Sequence, residues 1–220
     1  MNGEASASPF SFWMIEPDMI HLHYADEALL VAEKPAGLLS VPGRTPENQD
    51  CVVARLQVLY PDALTVHRLD QVTSGLLLHA RGKAMQAALS AQFEQRQVHK
   101  RYLAVLEGVL EGEAGEVDLP LIVDWPNRPK QQVDHERGKR ALTRWRVLAR
   151  ASGHTHVELE PVTGRSHQLR LHMASLGHPI VGDVLYGAKA AGRVYLHACS
   201  LQFTHPLSGE PMTVASAQPW

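Results

Sequence analysis

Apolar residues recur along the chain at two spacings, which change where polar residues, glycine or proline intervene. Segments with apolar residues every three or four positions predict helices: Cys51–Tyr60, Lys83–Gln95 and Ser166–Leu176. Segments in which apolar residues run continuously or alternate predict strands: Ala28–Glu33, Thr73–Ala80, Tyr102–Leu106, Ala141–Leu148 and Thr155–Glu160. Because several strands follow one another without a helix between them, we expect a single α/β domain of the α+β kind, with a mixed, mostly antiparallel sheet and flanking helices.

The first twenty residues show neither spacing. Residues 1–20 are rich in serine, proline, alanine and methionine and predict a tail, whereas residues 21–220 predict one domain. No run of about 18 apolar residues occurs, and the start lacks the basic and apolar regions of a signal peptide. We therefore expect a cytoplasmic protein that does not enter a membrane. Coiled-coil heptads are also absent from the sequence, so a monomer is the expected state.

The composition narrows the possible chemistry. Cys51 and Cys199 are the two cysteines, and the stretches around them predict buried free thiols rather than a disulfide. Two pairs among the 13 histidines are close in the sequence, and neither pair has a cysteine or glutamate at ligand spacing. No metal site is therefore expected. The sequence also lacks the GxSxG, GxGxxG and Walker motifs of acyl-transfer, dinucleotide and nucleotide chemistry.

The net charge of −2 conceals a basic region. Between Arg128 and Arg150 the sequence holds eight basic and two acidic residues, a net charge of +6. Such a region is typical of phosphate binding. The same residues also suit the solvated face of an ordinary strand pair, and the sequence leaves both interpretations open.

The most informative polar segment is His67–Asp70, which stands directly before the apolar run of Thr73–Ala80. This position holds Asp70 at the edge of the core rather than in a loose loop, and Arg68 lies two residues away. A carboxylate fixed against a guanidinium stays ionised and suits a nucleophile or a base. A structural salt bridge in a turn is the alternative interpretation.

A second polar cluster surrounds the start of the helix predicted at Ser166–Leu176. His167 and Arg170 are three residues apart and share a face, opposite the apolar residues of the same helix. Arginine and histidine near a helix N-terminus suit an anion such as a phosphate or a carboxylate. The alternative is a solvated helix start that Ser166 caps. No second acidic motif suggests the carboxylate pair of a glycosidase.

Four motifs stand in order along the chain. They are KPAG at Lys34–Gly37, HRLDQVTSGLLL at His67–Leu78, KRYLA at Lys100–Ala104, and TGRSHQLRLHM at Thr163–Met173 followed by GHPIVGD. Their order and spacing resemble the RluA-type RNA pseudouridine synthases from about residue 28 to the end. The resemblance implies the pseudouridine synthase fold, an α/β domain around a bent mixed sheet with the active cleft across its middle. It also implies an isomerase that needs neither a cofactor nor a metal.

Position by position, the resemblance implies roles for individual residues. Asp70 matches the catalytic aspartate, Tyr102 the tyrosine that stacks on the target uracil, and Arg170 the arginine that pairs with the catalytic carboxylate. Arg68 matches the residue that fills the gap left by the flipped nucleotide. We expect further contacts with the RNA from side chains of the same segments: His67, Lys130, Arg165 and His167. Whether Asp70 attacks C1′ or removes a C2′ proton stays open.

The expected substrates also follow from the resemblance. Many family members carry an N-terminal S4 RNA-binding domain, for which the 20–27 residues before the first predicted strand are too few. This feature and the segment DLPLIVDWPNRPKQ at Asp118–Gln131 resemble the members that act on two RNAs. The implied partners are a tRNA anticodon stem-loop and a stem-loop of large-subunit 23S rRNA. A synthase restricted to rRNA and a non-catalytic RNA-binding module are the alternatives.

Overall fold

A computed structural model describes residues 20–220, and strands from both ends of this range join one mixed sheet. The strands are β1 Leu22–Ala25, β2 Leu29–Lys34, β3 Ala63–Thr65, β4 Ser74–Arg81, β5 His99–Glu107, β6 Ala114–Asp118, β7 Leu121–Val123, β8 Gln131–Val133, β9 Leu142–Ala151, β10 His154–Pro161, β11 Leu196–Thr204 and β12 Pro211–Ala215. The α-helices are α1 Val52–Leu59, α2 Gly82–Glu94 and α3 Gln168–Ser175. The main sheet has the order β1-β2-β4-β11-β5-β10-β9-β6, with β3 beside β4 and β12 beside β11, while β7 and β8 form a separate hairpin.

Strand β4 is central, which explains why its sequence is a continuous apolar run rather than an alternating one. It lies between β2 and β11, and Leu76, Leu77 and Leu78 are completely buried. Leu77 belongs to one apolar core, and its two neighbours belong to a second core. Both faces of the strand are therefore covered, and an apolar residue is favoured at every position.

Strands β4 and β11 pair in parallel over two residue pairs, Ser74 with His197 and Gly75 with Ala198. We call these two pairs the seam. The other strand pairs within residues 20–220 are antiparallel. Gly75 has a φ of +112°, and a Cβ at this position would lie 2.3 Å from the carbonyl oxygen of Ala198, so only glycine permits the close approach. The seam joins the half of the sheet built from β1–β4 to the half built from β5, β6 and β9–β12.

Helix α3 begins at Gln168, two residues later than predicted, and Ser166 does not cap it. His167 occupies the cap position with a φ of +53°, and no side-chain hydrogen bond caps the helix. The turn is held instead by the side chain of Gln168, whose Oε1 accepts hydrogen bonds from Thr163 Oγ1 at 2.7 Å and Arg165 N at 3.0 Å. The alternative interpretation, in which Ser166 caps the helix, is therefore wrong, because the amide of Gln168 satisfies donors of this turn.

The structure confirms the predicted fold class, a mixed and mostly antiparallel sheet with three α-helices in one domain. The division into a tail over residues 1–20 and a catalytic domain over residues 21–220 stays a prediction, since residues 1–19 lie outside the described part. Within residues 20–220 no helix is both long and apolar enough to span a membrane. Both cysteines are free. Cys199 is partly exposed rather than buried, because it lies where the register between β11 and β5 shifts.

Candidate active site

An open cleft of about 1000 Å³ crosses the sheet beside the seam, and Asp70 lies in its wall. Its lining combines the turn before β4, the start of β5, the loop between β7 and β8, and the residues around the start of α3. Seven of the predicted site residues line this cleft: His67, Arg68, Asp70, Tyr102, Arg165, His167 and Arg170. Lys130 does not line it, although its neighbours Arg128, Pro129 and Gln131 do.

The main chain beside Asp70 is fixed by a buried lysine. Nζ of Lys34 donates to the carbonyl of Gln71 at 2.9 Å and to the carbonyls of Pro35 and Leu38 at 2.9 and 2.6 Å. Burial lowers the pKa of Lys34 to about 7, and the negative charge of Asp70 opposes this shift. Lys34 therefore ties the turn that carries Asp70 to the turn of the KPAG motif.

Arg170 is the cation in contact with Asp70. Its Nη1 lies 3.5 Å from Asp70 Oδ2, while its Nε and Nη2 donate to the two oxygens of Asp183 at 2.6 and 2.8 Å. The side chains of Arg170 and Asp183 are only 5% and 1% exposed. The tighter, two-pronged contact with Asp183 thus orients the guanidinium toward Asp70. Arg68, the neighbour expected from the sequence, is exposed and makes no ion pair among the described residues.

Tyr102 supplies an aromatic ring to the same cleft. It lies in β5, pairs with Leu159 of β10 and Ala198 of β11, and is 8% exposed. Burial raises the pKa of its hydroxyl, and the charge of Asp70 acts in the same direction, so the phenol stays protonated. A neutral aromatic ring beside the carboxylate suits stacking against a nucleobase.

His167 faces the second oxygen of the Asp70 carboxylate. Its Nε2 lies 4.0 Å from Asp70 Oδ1, and its Nδ1 lies 2.8 Å from the hydroxyl of Tyr186. The same hydroxyl accepts a hydrogen bond from the backbone N–H of Gln131 at 2.9 Å. Burial lowers the pKa of His167 although Asp70 opposes the shift, so the imidazole is neutral at pH 7.

The remaining cleft residues divide between the wall and the rim. His67 stacks on Phe93 with ring centroids 4.6 Å apart, and its Nε2 accepts the backbone N–H of Leu78. Burial lowers the pKa of His67 to about 3, so it is a neutral wall residue rather than a cation for phosphate. Arg68 and Arg165 are exposed at the rim, where they are accessible to a large substrate.

The basic region between Arg128 and Arg150 is largely neutralised. Five of its arginines form ion pairs, four of them with acidic residues outside the region: Arg137 with Asp134, Arg140 with Asp118, Arg144 with Glu116, Arg146 with Glu158, and Arg150 with Glu113. Strand β9 carries most of these arginines and pairs with β6 and β10, which supply most of the partners. The interpretation as a solvated strand face therefore fits most of this region.

Sequence reasoning missed three residues of the site. Lys34 and Asp183 stand in the KPAG and GHPIVGD motifs without an assigned role, and Tyr186 follows the second motif closely. Their place in or beside a motif was the available signal. Their contacts could not be predicted, because the sequence does not specify which arginine meets which carboxylate.

A turn carboxylate beside an arginine and a histidine, with a tyrosine ring in the same cleft, is the arrangement expected of an RNA pseudouridine synthase. The profile of the family described as RNA pseudouridylate synthase matches residues 28–175. The chain belongs to this family and is an enzyme of the isomerase class.

Its relatives define a narrower group. The Dual-specificity RNA pseudouridine synthase RluA of Vibrio cholerae is 54% identical over 193 residues, which cover 86% of this chain and 79% of the relative. The protein of the same description from Escherichia coli is 49% identical over 203 residues, covering 90% and 92% of the two chains. Among solved structures, Human RNA Pseudouridylate Synthase Domain Containing 1 has a TM-score of 0.77 and 28% identity, covering 92% of this chain and 84% of that one.

Proposed function

We propose that this enzyme converts uridine to pseudouridine in compact stem-loops of two RNAs, a tRNA anticodon stem-loop and a stem-loop of 23S rRNA. It acts in the cytoplasm as a monomer. The observation that carries the proposed chemistry is the placement of Asp70 between Arg170 and His167 in a cleft with an exposed, basic rim. Two relatives described as dual-specificity RNA pseudouridine synthases support a choice of two substrates.

Asp70 is the residue that breaks the N-glycosidic bond. A uridine flipped out of its loop enters the cleft and stacks on Tyr102, with its ribose against the Asp70 carboxylate. Asp70 either attacks C1′ or removes a proton from C2′, and in both routes the uracil stays in the cleft. The base then turns and rejoins the ribose through C5; the C5 proton is lost, N1 of the uracil gains a proton, and a proton removed from C2′ is returned there. The sum is an isomerisation without water or a redox change.

Asp183 is the second carboxylate near the site, and its contacts determine whether it can act as an acid or a base. A glycosidase uses a second carboxyl group to protonate the leaving group or to activate water. Asp183 is close enough to share Arg170 with Asp70, but Arg170 occupies both of its oxygens and its side chain is 1% exposed. It therefore does not serve as the second carboxyl group of a glycosidase.

A stem-loop suits the cleft because exposed arginines approach it from several segments of the chain: Arg44, Arg68, Arg128 and Arg165. Such side chains contact phosphates around a splayed loop, while shape and a few unstacked bases supply the recognition. A target this small can occur in two unrelated RNAs. One cleft can therefore serve both.

Dual specificity is tested with isolated RNA hairpins. The purified protein should release tritium from C5-labelled uridine in an anticodon stem-loop with uridine on the 5′ side of the loop. It should do the same in a short 23S rRNA hairpin of similar loop sequence. If only long rRNA fragments or ribosomal subunits react and the tRNA hairpin never does, dual specificity is wrong and the enzyme is restricted to rRNA.

The dependence of RNA affinity on salt separates the cleft rim from the paired strand face. Replacing both Arg44 and Arg165 by glutamine should flatten the slope of log affinity against log salt by about 0.7–0.9 per lost phosphate contact. The same replacement of Arg144 and Arg146 should leave the slope unchanged, because both residues pair with glutamates. Binding of one hairpin across a salt series gives both slopes. Equal slopes for the two double variants would contradict a phosphate-binding rim.

A further inference from the structure

The hydroxyl of Tyr186 joins two parts of the cleft, the hairpin of β7 and β8 and the imidazole of His167. A backbone N–H only donates, so the contact of Gln131 N with this hydroxyl at 2.9 Å uses an oxygen lone pair. The hydroxyl proton is then free to be donated to Nδ1 of His167 at 2.8 Å. This arrangement favours a bare Nδ1, and the carboxylate that faces Nε2 at 4.0 Å favours a proton on that nitrogen of the neutral ring.

The protonated nitrogen, Nε2, is the one that faces Asp70. The charged groups that act on His167 come from three elements: Asp70 from the turn before β4, Arg170 from α3, and Asp183 from the segment after α3. Burial lowers the pKa of His167, the two carboxylates oppose this shift, and Arg170 reinforces it. Because the imidazole is neutral at pH 7, its tautomer decides whether a proton or a lone pair faces the carboxylate.

The main chain at His167 has a defined conformation. Its φ of +53° lies in the left-handed region, which glycine, asparagine, aspartate and histidine adopt more readily than other residues. The side chain of Gln168 holds this turn through Thr163 and Arg165, so the imidazole is fixed from its backbone as well as from Tyr186.

We propose that Tyr186 is a positioning residue, which fixes the tautomer of His167 so that Nε2–H points to Asp70. Arg170 and His167 then each face one oxygen of the carboxylate, at 3.5 and 4.0 Å, and orient it electrostatically for the ribose. The inference rests on the catalytic role of Asp70 in the proposed function.

The same contact couples the carboxylate to the RNA-facing hairpin. Arg128 and Pro129 line the cleft on the loop that leads into β8, and Gln131 is the first residue of that strand. RNA that contacts this loop therefore also fixes the backbone N–H of Gln131, which donates to the hydroxyl oxygen of Tyr186. If the hairpin is displaced, the tautomer of His167 is no longer fixed, and the Asp70 carboxylate loses the N–H of His167 as one of its two partners.

The test is Tyr186→Phe, which keeps the aromatic ring over Arg170 and removes the hydroxyl. At pH 8 we expect kcat on a hairpin substrate to fall about 10- to 100-fold, with KM changed less than about twofold, because orientation is lost rather than binding. Without the hydroxyl the imidazole adopts either tautomer, and one of them turns a lone pair toward Asp70.

The pH profile separates this role from a merely structural one. Protonated His167 carries a proton on both nitrogens, so Nε2–H faces Asp70 whatever occupies position 186. The lost hydroxyl favoured the neutral ring, so the pKa of His167 is higher in the variant than in the wild type. The defect of Tyr186→Phe should therefore shrink as the pH falls below about 6.5 and the imidazole becomes protonated. A defect of constant size across the pH range in which His167 of the variant takes up its proton, followed by nitrogen NMR, would overturn the proposal.

Two further measurements keep the proposal falsifiable. His167→Asn, which suits the left-handed backbone, should lower kcat about as much as Tyr186→Phe, and the double variant should be no worse than either single variant. Nitrogen NMR of the free wild-type enzyme should show a bare Nδ1 and a protonated Nε2 for His167, assigned by their loss in His167→Asn. Additive losses, or the opposite tautomer, would overturn the proposal.

The control is Tyr24→Phe in β1, which removes a hydroxyl that donates to Asp26, away from the cleft. It should keep wild-type kcat at every pH. Wild-type activity on either hairpin tests the proposed function, whereas the ratio of variant to wild type on that hairpin tests the positioning role. If neither hairpin reacts, the proposed function fails, and the NMR tautomer still decides the inference.

Discussion

The Asp70→Asn variant should lose about 10⁴-fold or more of its single-turnover rate while its affinity for a hairpin RNA changes little. The substitution removes the charge and the nucleophilic or basic oxygen but almost none of the volume. Arg170 can still contact the amide oxygen, and the amide nitrogen takes nearly the same space as the other carboxylate oxygen, so the cleft keeps its shape. Tritium release from C5-labelled uridine measures the rate, and hairpin binding measures the affinity.

Asp62→Asn is the matched control for this experiment. Asp62 is an exposed carboxylate that pairs with Arg81 at 3.1 Å and does not line the cleft. It should retain wild-type activity, so any loss in Asp70→Asn belongs to the site and not to the change of charge. A near wild-type rate in purified Asp70→Asn would exclude Asp70 as the catalyst.

The Arg170→Met variant should lose both activity and stability. Asp70 loses its nearest cation, so we expect single-turnover rates to fall at least about 100-fold across pH 5 to 8. Asp183, with a side chain that is 1% exposed, becomes a buried charge without its partner, which costs about 3–5 kcal/mol of unfolding free energy. Urea unfolding measures the second effect through the transition midpoint.

A double variant separates the two effects. Adding Asp183→Asn to Arg170→Met removes the unpaired charge and should restore most of the unfolding free energy, while the turnover stays low. Arg170→Lys keeps a positive charge but cannot bridge two carboxylates with a planar fork, so its turnover should also remain low. If the stabilised double variant recovers wild-type turnover, Arg170 acts on the fold alone and not on Asp70.

Elements with a covered face could be predicted from the sequence. The helix predicted over Lys83–Gln95 corresponds to α2, with bounds that differ by one residue. It could be predicted because its apolar face, which includes Leu89, packs on an apolar core. The predicted strand Tyr102–Leu106 extends to His99–Glu107 in the structure, since backbone pairing with β10 and β11 continues past the apolar run. Strand order could not be predicted, because apolar periodicity identifies the buried face of a strand and not its neighbours.

Some residues of the candidate site could likewise be predicted from the sequence, and others could not. Asp70 and Arg170 could be proposed from local patterns, a turn carboxylate before a buried strand and a basic face at a helix start. The partner of Arg170 could not, because Asp183 comes from a different segment and only the fold brings the two together. The count of basic residues in the sequence also overestimated the free positive charge on β9. The glutamates that pair with its arginines belong to neighbouring strands, which only the fold brings close.

The seam has a consequence for how the enzyme comes to be active during folding. Asp70 precedes β4 in one half of the sheet, whereas Tyr102 lies in β5 and Arg170 in a helix packed on β9 and β10 of the other half. The described strands of the two halves pair at one place, the short parallel contact of Ser74–Gly75 with His197–Ala198, which closes a loop of more than a hundred residues. Side chains from both halves also pack in one apolar core. A chain whose halves have formed but not docked holds the carboxylate without its cation or its aromatic ring. Catalytic competence therefore requires that the two halves dock, and turnover itself reports that this docking is complete.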